Sequence, residues 1–201
     1  MHDTRDDAML GRRGMLARLA GVALSVSGLD AIGRFTRATI AAPAWDDRFE
    51  LAVDFEIAPQ EGYRYHRPYV AVYVETPEGK RVRTLSLWVN TSGRGPRYIR
   101  ELRRWFSMAR DQEDAGGPDL VSTVSSATRL PGQYSVTWNG RDDRGNVVEQ
   151  GSYRVVIEAS REHGSYQLMQ QDLTLTAKPV AADLSGNQEI GRARVEYRRR
   201  K

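Results

Sequence analysis

The sequence predicts a mostly β protein: an antiparallel immunoglobulin-like (Ig-like) β-sandwich of about seven or eight strands, with one inserted helix at about residues 96–110. Several segments alternate apolar and polar residues, as in FELAVDFEI (49–57), which is the period of a half-buried strand. Turn signals separate these segments at short intervals, as in sandwiches. One segment has instead the three- and four-residue apolar spacing of an amphipathic helix.

Three strands are predicted in the first half of the body. FELAVDFEI (49–57) is followed by PYVAVYVET (68–76) and RVRTLSLWVN (81–90). The turn TPEGK (76–80) joins the last two, because proline presets φ and glycine tolerates positive φ. These two strands therefore form a predicted hairpin.

The predicted helix follows and carries one apolar stripe. The stripe consists of Ile99, Leu102, Phe106 and Ala109, with most of the arginines off it. Tyr98 and Trp105 lie beside the stripe, seven residues apart. The run DQEDAGGPD (111–119) is expected to end the helix as an acidic loop.

The second half of the body is denser in strands, with the strong turn GRDDRGN (140–146) after the first of them. The predicted strands are QYSVTWN (133–139), SYRVVIEAS (152–160), SYQLMQQDLTLTA (165–177) and QEIGRARVEY (188–197). Residues 45–197 are thus predicted to form the sandwich domain, and residues 198–201 a basic, solvated tail.

Residues 1–44 are predicted to be an export signal and linker. The segment GRRGMLARLAGVALSVSGLDAIG (11–33) places two arginines before a moderately apolar stretch, which is the layout of a secretory leader. Arg12–Leu16 resembles the twin-arginine export motif. Cleavage is expected near Ala42 or Ala44, leaving no transmembrane anchor. The alternative is a short amphipathic helix on a cytosolic protein.

Composition excludes several classes of function. The chain of 201 residues contains no cysteine, so disulfides, thiolate metal sites and a cysteine nucleophile are absent. Its net charge of +4 comes from the two ends, because residues 43–197 contain 20 basic and 22 acidic residues. Nucleic-acid binding is not expected, since a docking face needs a spread of basic residues.

Residues 134–157 carry a first family resemblance. The pattern Trp138-x-Gly140-x-Asp142-x-x-Gly145, followed by Val148-x-x-Gly151-x-Tyr153, resembles the Ig-like module of flagellar hook-capping proteins. In this pattern the glycines permit positive φ and the aspartates accept hydrogen bonds from the turn backbone. Trp138 and Tyr153 are expected to pack over the sandwich edge.

A second resemblance covers nearly the whole predicted body. The segments RYHRPYVAVYVE (64–75), RTLSLWV (83–89), RELRRWF (100–106), SSATRLPGQYSVTWNGRDDRGN (125–146) and EASREHGSYQ (158–167) are similar to a family of predicted periplasmic proteins, domain of unknown function 2271. The resemblance implies a periplasmic location, a PepSY-type membrane reductase and a flavin transferase as partners, and a role in flavin or iron redox.

Thr128 is a candidate modification site. Ser125-Ser126-Ala127-Thr128 resembles the motif at which a periplasmic flavin transferase links FMN covalently to a Thr or Ser. Ser126 replaces the glycine of that motif and Ser122 its aspartate. If FMN were attached, Trp105, Tyr98 and Trp138 would be candidates to stack on its ring. The alternatives are hydroxyls that bond local backbone and aromatic side chains that pack in the core.

His66 and His163 are candidate contacts to a ligand or partner. They are the only histidines of the body, and each has an arginine close by, Arg67 and Arg161. These side chains suit an anionic ligand or partner, and Glu162 beside them offers a less favoured metal site. The remaining alternative is two structural histidines.

No catalytic residues are predicted. The sequence has no G-x-S-x-G elbow, no H-E-x-x-H and no phosphate-binding glycine loop. Three functions remain open: an exported accessory protein that binds a redox partner, an electron-transfer module with FMN on Thr128, and a structural or assembly module. We prefer the first of these functions, which is non-enzymatic.

Overall fold

β-strands dominate the computed structural model, which describes residues 42–60 and 65–200. The strands are β1 (Phe49–Ile57), β2 (Tyr69–Glu75), β3 (Arg81–Trp88), β4 (Ser125–Ser126), β5 (Gly132–Trp138), β6 (Gly151–Ser160), β7 (Tyr166–Leu175), β8 (Val180–Leu184) and β9 (Ile190–Arg199). The helices are a 3-10 helix (Gly95–Glu101), α1 (Arg103–Asp114) and α2 (Leu120–Val124).

The strands form two sheets. One sheet has the order β5-β1-β9-β8 and the other β4-β3-β2-β6-β7. Neighbouring strands pair antiparallel, except for the short parallel pair of β3 and β4. The predicted mostly β class is therefore confirmed, with nine strands in the described residues instead of seven or eight.

The main core lies between the two sheets. Leu51, Val53 and Phe55 of β1 belong to one buried cluster with Val72 of β2 and Ile157 of β6. Each alternates with residues that point away from the cluster, as the sequence pattern predicts. Burial of such side chains contributes about 1.5–3 kcal/mol each, so the alternation fixes which face of each strand is internal.

The helical segment covers the outer face of the five-stranded sheet. Every residue of β2 is buried, which a sheet with one solvated face does not produce. Tyr69 and Tyr73 of β2 lie in a second buried cluster with Ile99, Leu102 and Trp105. The segment between β3 and β4 thus forms a third layer on the sandwich.

The prediction of one helix at 96–110 is wrong in detail. The 3-10 helix ends at Glu101, and Leu102 has φ −76° and ψ 70°, which is not helical. α1 therefore begins in a new phase at Arg103, and Trp105 is fully buried whereas Phe106 is only partly buried. α1 also continues through the first acidic residues of 111–119 to Asp114.

The short elements α2 and β8 were not among the predicted helix and strands. LVSTV (120–124) forms α2, because the Asp119 side chain accepts a hydrogen bond from the backbone N–H of Ser122 at its N-terminus. β8 is a five-residue strand that pairs with β9. Neither element is long enough to show a clear period in the sequence.

The predicted basic tail is partly wrong, because β9 extends through Arg199. The Nε of Arg198 lies 3.1 Å from an oxygen of Glu50, and the backbone N–H of Arg200 donates to the carbonyl of Arg48. Cross-strand pairing with β1 holds these residues in the sheet, so the domain includes them.

The predicted turn chemistry of 140–146 is observed. Gly140 and Gly145 have φ of +73° and +86°. Asp142 accepts hydrogen bonds from the backbone N–H groups of Arg144 and Asn146 at 2.9 and 2.8 Å. These bonds close the turn that carries the chain from one sheet to the other.

The first described residues form backbone hydrogen bonds with the connection between β5 and β6. The carbonyl of Pro43 accepts from the N–H of Gln150 at 2.7 Å, and the N–H of Trp45 donates to Val148 at 2.8 Å. Residues 1–41 of the predicted export signal lie outside the described residues. Among the described residues, no helix combines the length and the apolar composition needed to span a bilayer.

Candidate functional site

The two histidines of the body lie at one end of the sandwich, where the start of β2 meets the β6–β7 turn. His66 precedes β2, and β2 pairs with β6 so that Tyr69 lies opposite Ser160. His163 lies in the turn that follows Ser160. We call this region the histidine end; it comprises Tyr65, His66, Arg67, Tyr69, Tyr98, Arg161, Glu162, His163 and Glu189.

Glu162 connects the buried and exposed parts of the histidine end. The hydroxyl of Tyr69 donates to Oε1 of Glu162 at 2.8 Å, and Nδ1 of His66 lies 3.7 Å from Oε2. Burial, together with the bond to Glu162, raises the pKa of Tyr69, so its phenol remains a donor. The His66 side chain is 47% exposed, which leaves its imidazole open to a partner.

His163 is held in an unusual backbone conformation. It has φ +58° and is the one non-glycine residue with positive φ in the described part of the chain. The hydroxyl of Tyr98 lies 3.2 Å from Nε2 of His163, and the two rings meet edge to face. Such a conformation costs about 1–2 kcal/mol, and residues held in this way cluster at functional sites.

Arg161 does not face solvent with the histidines. Its Nη2 lies 2.6 Å from Oε2 of Glu189, and its side chain is 15% exposed. Its guanidinium also lies 5.2 Å from the ring centre of Tyr65. The predicted contact set is thus divided: His66, Arg67 and His163 are exposed at one end, whereas Arg161 ties the β6–β7 turn to the segment before β9.

The geometry of the histidine end suits polar contacts to a partner. His66 and His163 each present an imidazole to solvent. The ring of His163 lies within hydrogen-bond distance of the Tyr98 hydroxyl, whereas that of His66 lies near the Glu162 carboxylate. In residues 42–60 and 65–200, no three His, Asp or Glu side chains form a group that could hold a metal ion.

The predicted modification segment lies between α2 and β5. Ser125 belongs to β4 and is paired with Leu87 of β3, whereas Ser126 is exposed and Thr128 is half-buried. Within the described residues, the hydroxyls of these three residues form no hydrogen bond to another protein group, unlike that of Thr123, which donates to the carbonyl of Asp119. The segment is therefore displayed at the edge of the five-stranded sheet.

The aromatic residues predicted as stacking partners lie mainly in the core. Trp105 is fully buried, and its Nε1 donates to Thr84 at 3.0 Å. Trp138 is 1% exposed and packs edge to face against Tyr153. The expectation that Trp105 contacts a cofactor is therefore corrected, because α1 and β3 enclose its indole and leave no face for a flavin ring.

A family model matches most of the length of the chain. Residues 50–192 match the model of a family described as Predicted periplasmic protein (DUF2271). The chain belongs to this family. The predicted periplasmic location agrees with the description of the DUF2271 family and is confirmed at that level. No curated protein and no solved structure matches the chain.

In this DUF2271 protein, a buried carboxylate positions the helical layer beside the histidine end. Glu158 of β6 accepts hydrogen bonds from the backbone N–H groups of Arg104 and Trp105 at 2.9 and 2.8 Å. The N-cap residue of α1, Leu102, offers no side-chain bond of its own. Glu158 therefore satisfies two free donors of the helix start from a neighbouring strand.

Sequence reasoning missed this carboxylate. Glu158 and Glu75 are both fully buried, and Glu75 pairs with Arg104 at 2.6 Å. Their signal in the sequence is weak, because each occupies an outward position of a strand that normally faces solvent. Only the helical layer makes these positions internal.

Proposed function

We propose that this DUF2271 protein is an exported, non-enzymatic accessory protein that binds a protein partner through His66, Arg67 and His163. One observation carries the proposal: the β6–β7 turn and the start of β2 present two exposed imidazoles at the same end of the sandwich. Pairing of β2 with β6 fixes the backbone that carries them, and a preorganised surface loses less freedom in a complex, so this end is suited to recognition.

The partner we propose is a PepSY-type membrane reductase, and the role is assistance to flavin or iron redox outside the cytoplasm. This part of the proposal is supported by the resemblance of residues 49–197 to proteins associated with such reductases. The histidine end supplies contacts, and the electron carrier belongs to the partner.

A pull-down from membranes of the host tests the proposal. The His66→Ala/His163→Ala variant is expected to capture the reductase at least tenfold less than the unmodified protein, since loss of two central contacts costs about 1.4 kcal/mol or more. Arg144→Ala, in the turn at the other end of the sandwich, is the matched control. Equal capture by all three proteins would contradict the proposal, and self-association without a reductase would favour an assembly module.

The export signal is part of the same proposal. We infer that residues 1–42 contain a twin-arginine leader and that the mature Ig-like domain begins at Pro43 and includes β9 through Arg199. The bonds of Pro43 and Trp45 to the β5–β6 connection favour cleavage at Ala42 over Ala44, because the later cut removes Pro43 from the body. Sequencing of the mature N-terminus distinguishes these sites.

The hook-capping-like module remains a proposal for residues 134–157. It is supported by the positive φ of Gly140 and Gly145 and by the contact of Trp138 with Tyr153, whose ring centres are 5.3 Å apart. A solved structure of a hook-capping Ig module with a different strand pairing around this turn would contradict it.

Covalent FMN on Thr128 is the second candidate function. It is supported by the display of residues 125–128, whose three hydroxyls have no hydrogen-bond partner within the described residues. A flavin transferase would transfer the FMN part of FAD to Oγ1 of Thr128: the new phosphoester bond replaces the pyrophosphate bond, AMP leaves with the hydroxyl proton, and the chain gains about 440 Da. In the presence of that transferase, Thr128→Ala is expected to lack the added mass and Ser125→Ala to keep it. An unmodified mass for the native protein would refute this candidate.

A further inference from the structure

A row of arginines follows the outer side of the 3-10 helix. Arg94, Arg97, Arg100 and Arg103 recur at every third residue, and all four are exposed. We call these four residues the arginine row. Side chains three residues apart lie on one side of a 3-10 helix, at about 6 Å per step. The first three arginines are therefore aligned, and Arg103 follows at the start of α1.

The opposite side of the same helix fixes the row in place. Ile99 is 4% exposed and Leu102 is fully buried against the five-stranded sheet. The Tyr69 hydroxyl lies 3.2 Å from the carbonyl of Gly95. The backbone that carries the arginines is therefore anchored to the sandwich, while the four arginines remain exposed.

Few acidic groups neutralise the row. Glu101 lies 4.0 Å from Arg100, and the guanidinium of Arg103 lies 4.9 Å from the ring centre of Tyr166. In the part of the chain that the structure describes, Arg94, Arg97 and Arg103 form no ion pair. Since residues 43–197 as a whole are slightly acidic, this concentration of positive charge is local.

We propose that the arginine row is a docking surface for an extended, acidic segment of a partner protein. Alternate side chains of an extended chain lie about 6.4–6.8 Å apart on one side, which matches the step of the row. An α-helix also places residues four apart at about 6 Å, but its side chains drift about 40° per step and leave the row. Carboxylates at alternate positions of an extended segment therefore face successive guanidinium groups.

Charge and burial favour a protein segment over a membrane. A helix that binds a bilayer presents an apolar face beside its basic residues, whereas the apolar side of this segment is buried. The large apolar residues exposed in the described part of the chain are Leu130, Val147 and Leu168, and none belongs to the helical segment. The surface is thus purely electrostatic, which favours specific orientation and fast association.

The row adjoins the histidine end but is inferred independently of it. Tyr98 lies within the same 3-10 helix and contacts His163, so one partner would be able to cover both surfaces. The arginine row rests only on spacing, exposure and charge. Its test therefore includes the His66→Ala/His163→Ala variant, which removes the two imidazoles of the histidine end and leaves the row intact.

The probe is a fluorescein-labelled peptide of alternating Glu and Thr, and fluorescence anisotropy at low salt measures its binding to residues 43–201. Arg97→Glu/Arg100→Glu is expected to weaken binding at least about tenfold, because it removes two attractions and adds two repulsions. Arg144→Glu/Lys178→Glu is the matched control with the same change of net charge at exposed positions. It is expected to change binding less than about twofold. Circular dichroism verifies that both variants are folded.

Three controls decide the outcome. Binding is expected to weaken as salt rises, to be lost with a Gln-Thr peptide, and to persist in His66→Ala/His163→Ala. Equal losses in the two charge variants would overturn the proposal, since net charge alone would then explain binding. Absence of peptide binding, or binding of phosphatidylglycerol vesicles alone, would also overturn it. Loss of peptide binding in the histidine variant would show that the row does not act independently.

Discussion

Gly140 is the position at which the packing of the body is most open to a quantitative test. It has φ +73°, and a Cβ added there would overlap Cγ, Cδ1 and Cδ2 of Trp45. Trp45 is itself buried against Trp138, with ring centres 4.8 Å apart. The indole is therefore packed between this turn and Trp138, and alanine at position 140 meets both a backbone and a packing conflict.

The two costs are separable because the chain contains a matched glycine. Gly145 lies in the same turn with φ +86°, and an added Cβ there has no atom within 4 Å. Gly145→Ala is expected to cost about 1–2 kcal/mol for the left-handed backbone alone. Gly140→Ala adds the overlap with Trp45, which costs about 1–3 kcal/mol more, giving about 2–5 kcal/mol in total.

Urea unfolding of residues 43–201, followed by tryptophan fluorescence, measures both variants. The free energy of unfolding should fall more for Gly140→Ala than for Gly145→Ala, by about 1 kcal/mol or more. Equal losses would refute the reasoning, because they would mean that Trp45 does not pack on this turn in solution. The N-terminal boundary of the body at Pro43 would then lose its structural basis.

Two carboxylates give further predictions. Glu158→Ala leaves two helix N–H groups without an acceptor and is expected to lower the free energy of unfolding by about 2–4 kcal/mol. Hydrogen exchange at the Trp105 amide should become faster. The surface control Glu56→Ala is expected to cost less than about 1 kcal/mol. Burial raises the pKa of Glu158, so the folded protein holds this proton more tightly than the unfolded chain. The difference in stability between the unmodified protein and Glu158→Gln should therefore decrease as pH rises through that pKa. An increase of this difference with pH would contradict the reasoning. Asp119→Ala removes the N-cap of α2 and should lower the free energy of unfolding by about 1 kcal/mol, whereas the control Asp114→Ala should be nearly neutral. Equal costs for the two variants would exclude Asp119 as the cap of α2.

The strands with a clear alternation were predictable from the sequence. The predicted bounds of β1, 49–57, are the observed ones, because its inward residues are all large and apolar. β8 has the sequence VAADL, with small residues and one aspartate, so its pairing with β9 supplies the order that its own pattern lacks. Local periodicity thus identifies strands that carry the core but not strands at the sheet edge.

The helical layer was only partly predictable, because its phase depends on tertiary contacts. The apolar spacing of residues 99–109 indicates a helix, but the break at Leu102 has no proline or glycine to signal it. Glu158 accepts the N–H groups that the break exposes, and it lies more than 50 residues away along the chain. No pattern within the segment contains that interaction.

The candidate site was likewise predictable only in part. The sequence indicates His66 and His163 as polar residues at strand boundaries, and pairing of β2 with β6 brings them to one end. The inward orientation of Arg161 depends on Glu189, which precedes β9, and was not predictable from its neighbours. By contrast, the spacing of the arginine row is visible in the sequence, although only the 3-10 helix aligns it.

The intact mass of the protein isolated from the periplasm of its host tests the central claim most directly. The account predicts a chain that begins at Pro43, exported and freed of its leader, with no added group. A mass about 440 Da higher would favour the flavin carrier over the accessory protein. Recovery of the full chain from Met1, retained in the cytoplasm, would contradict the account.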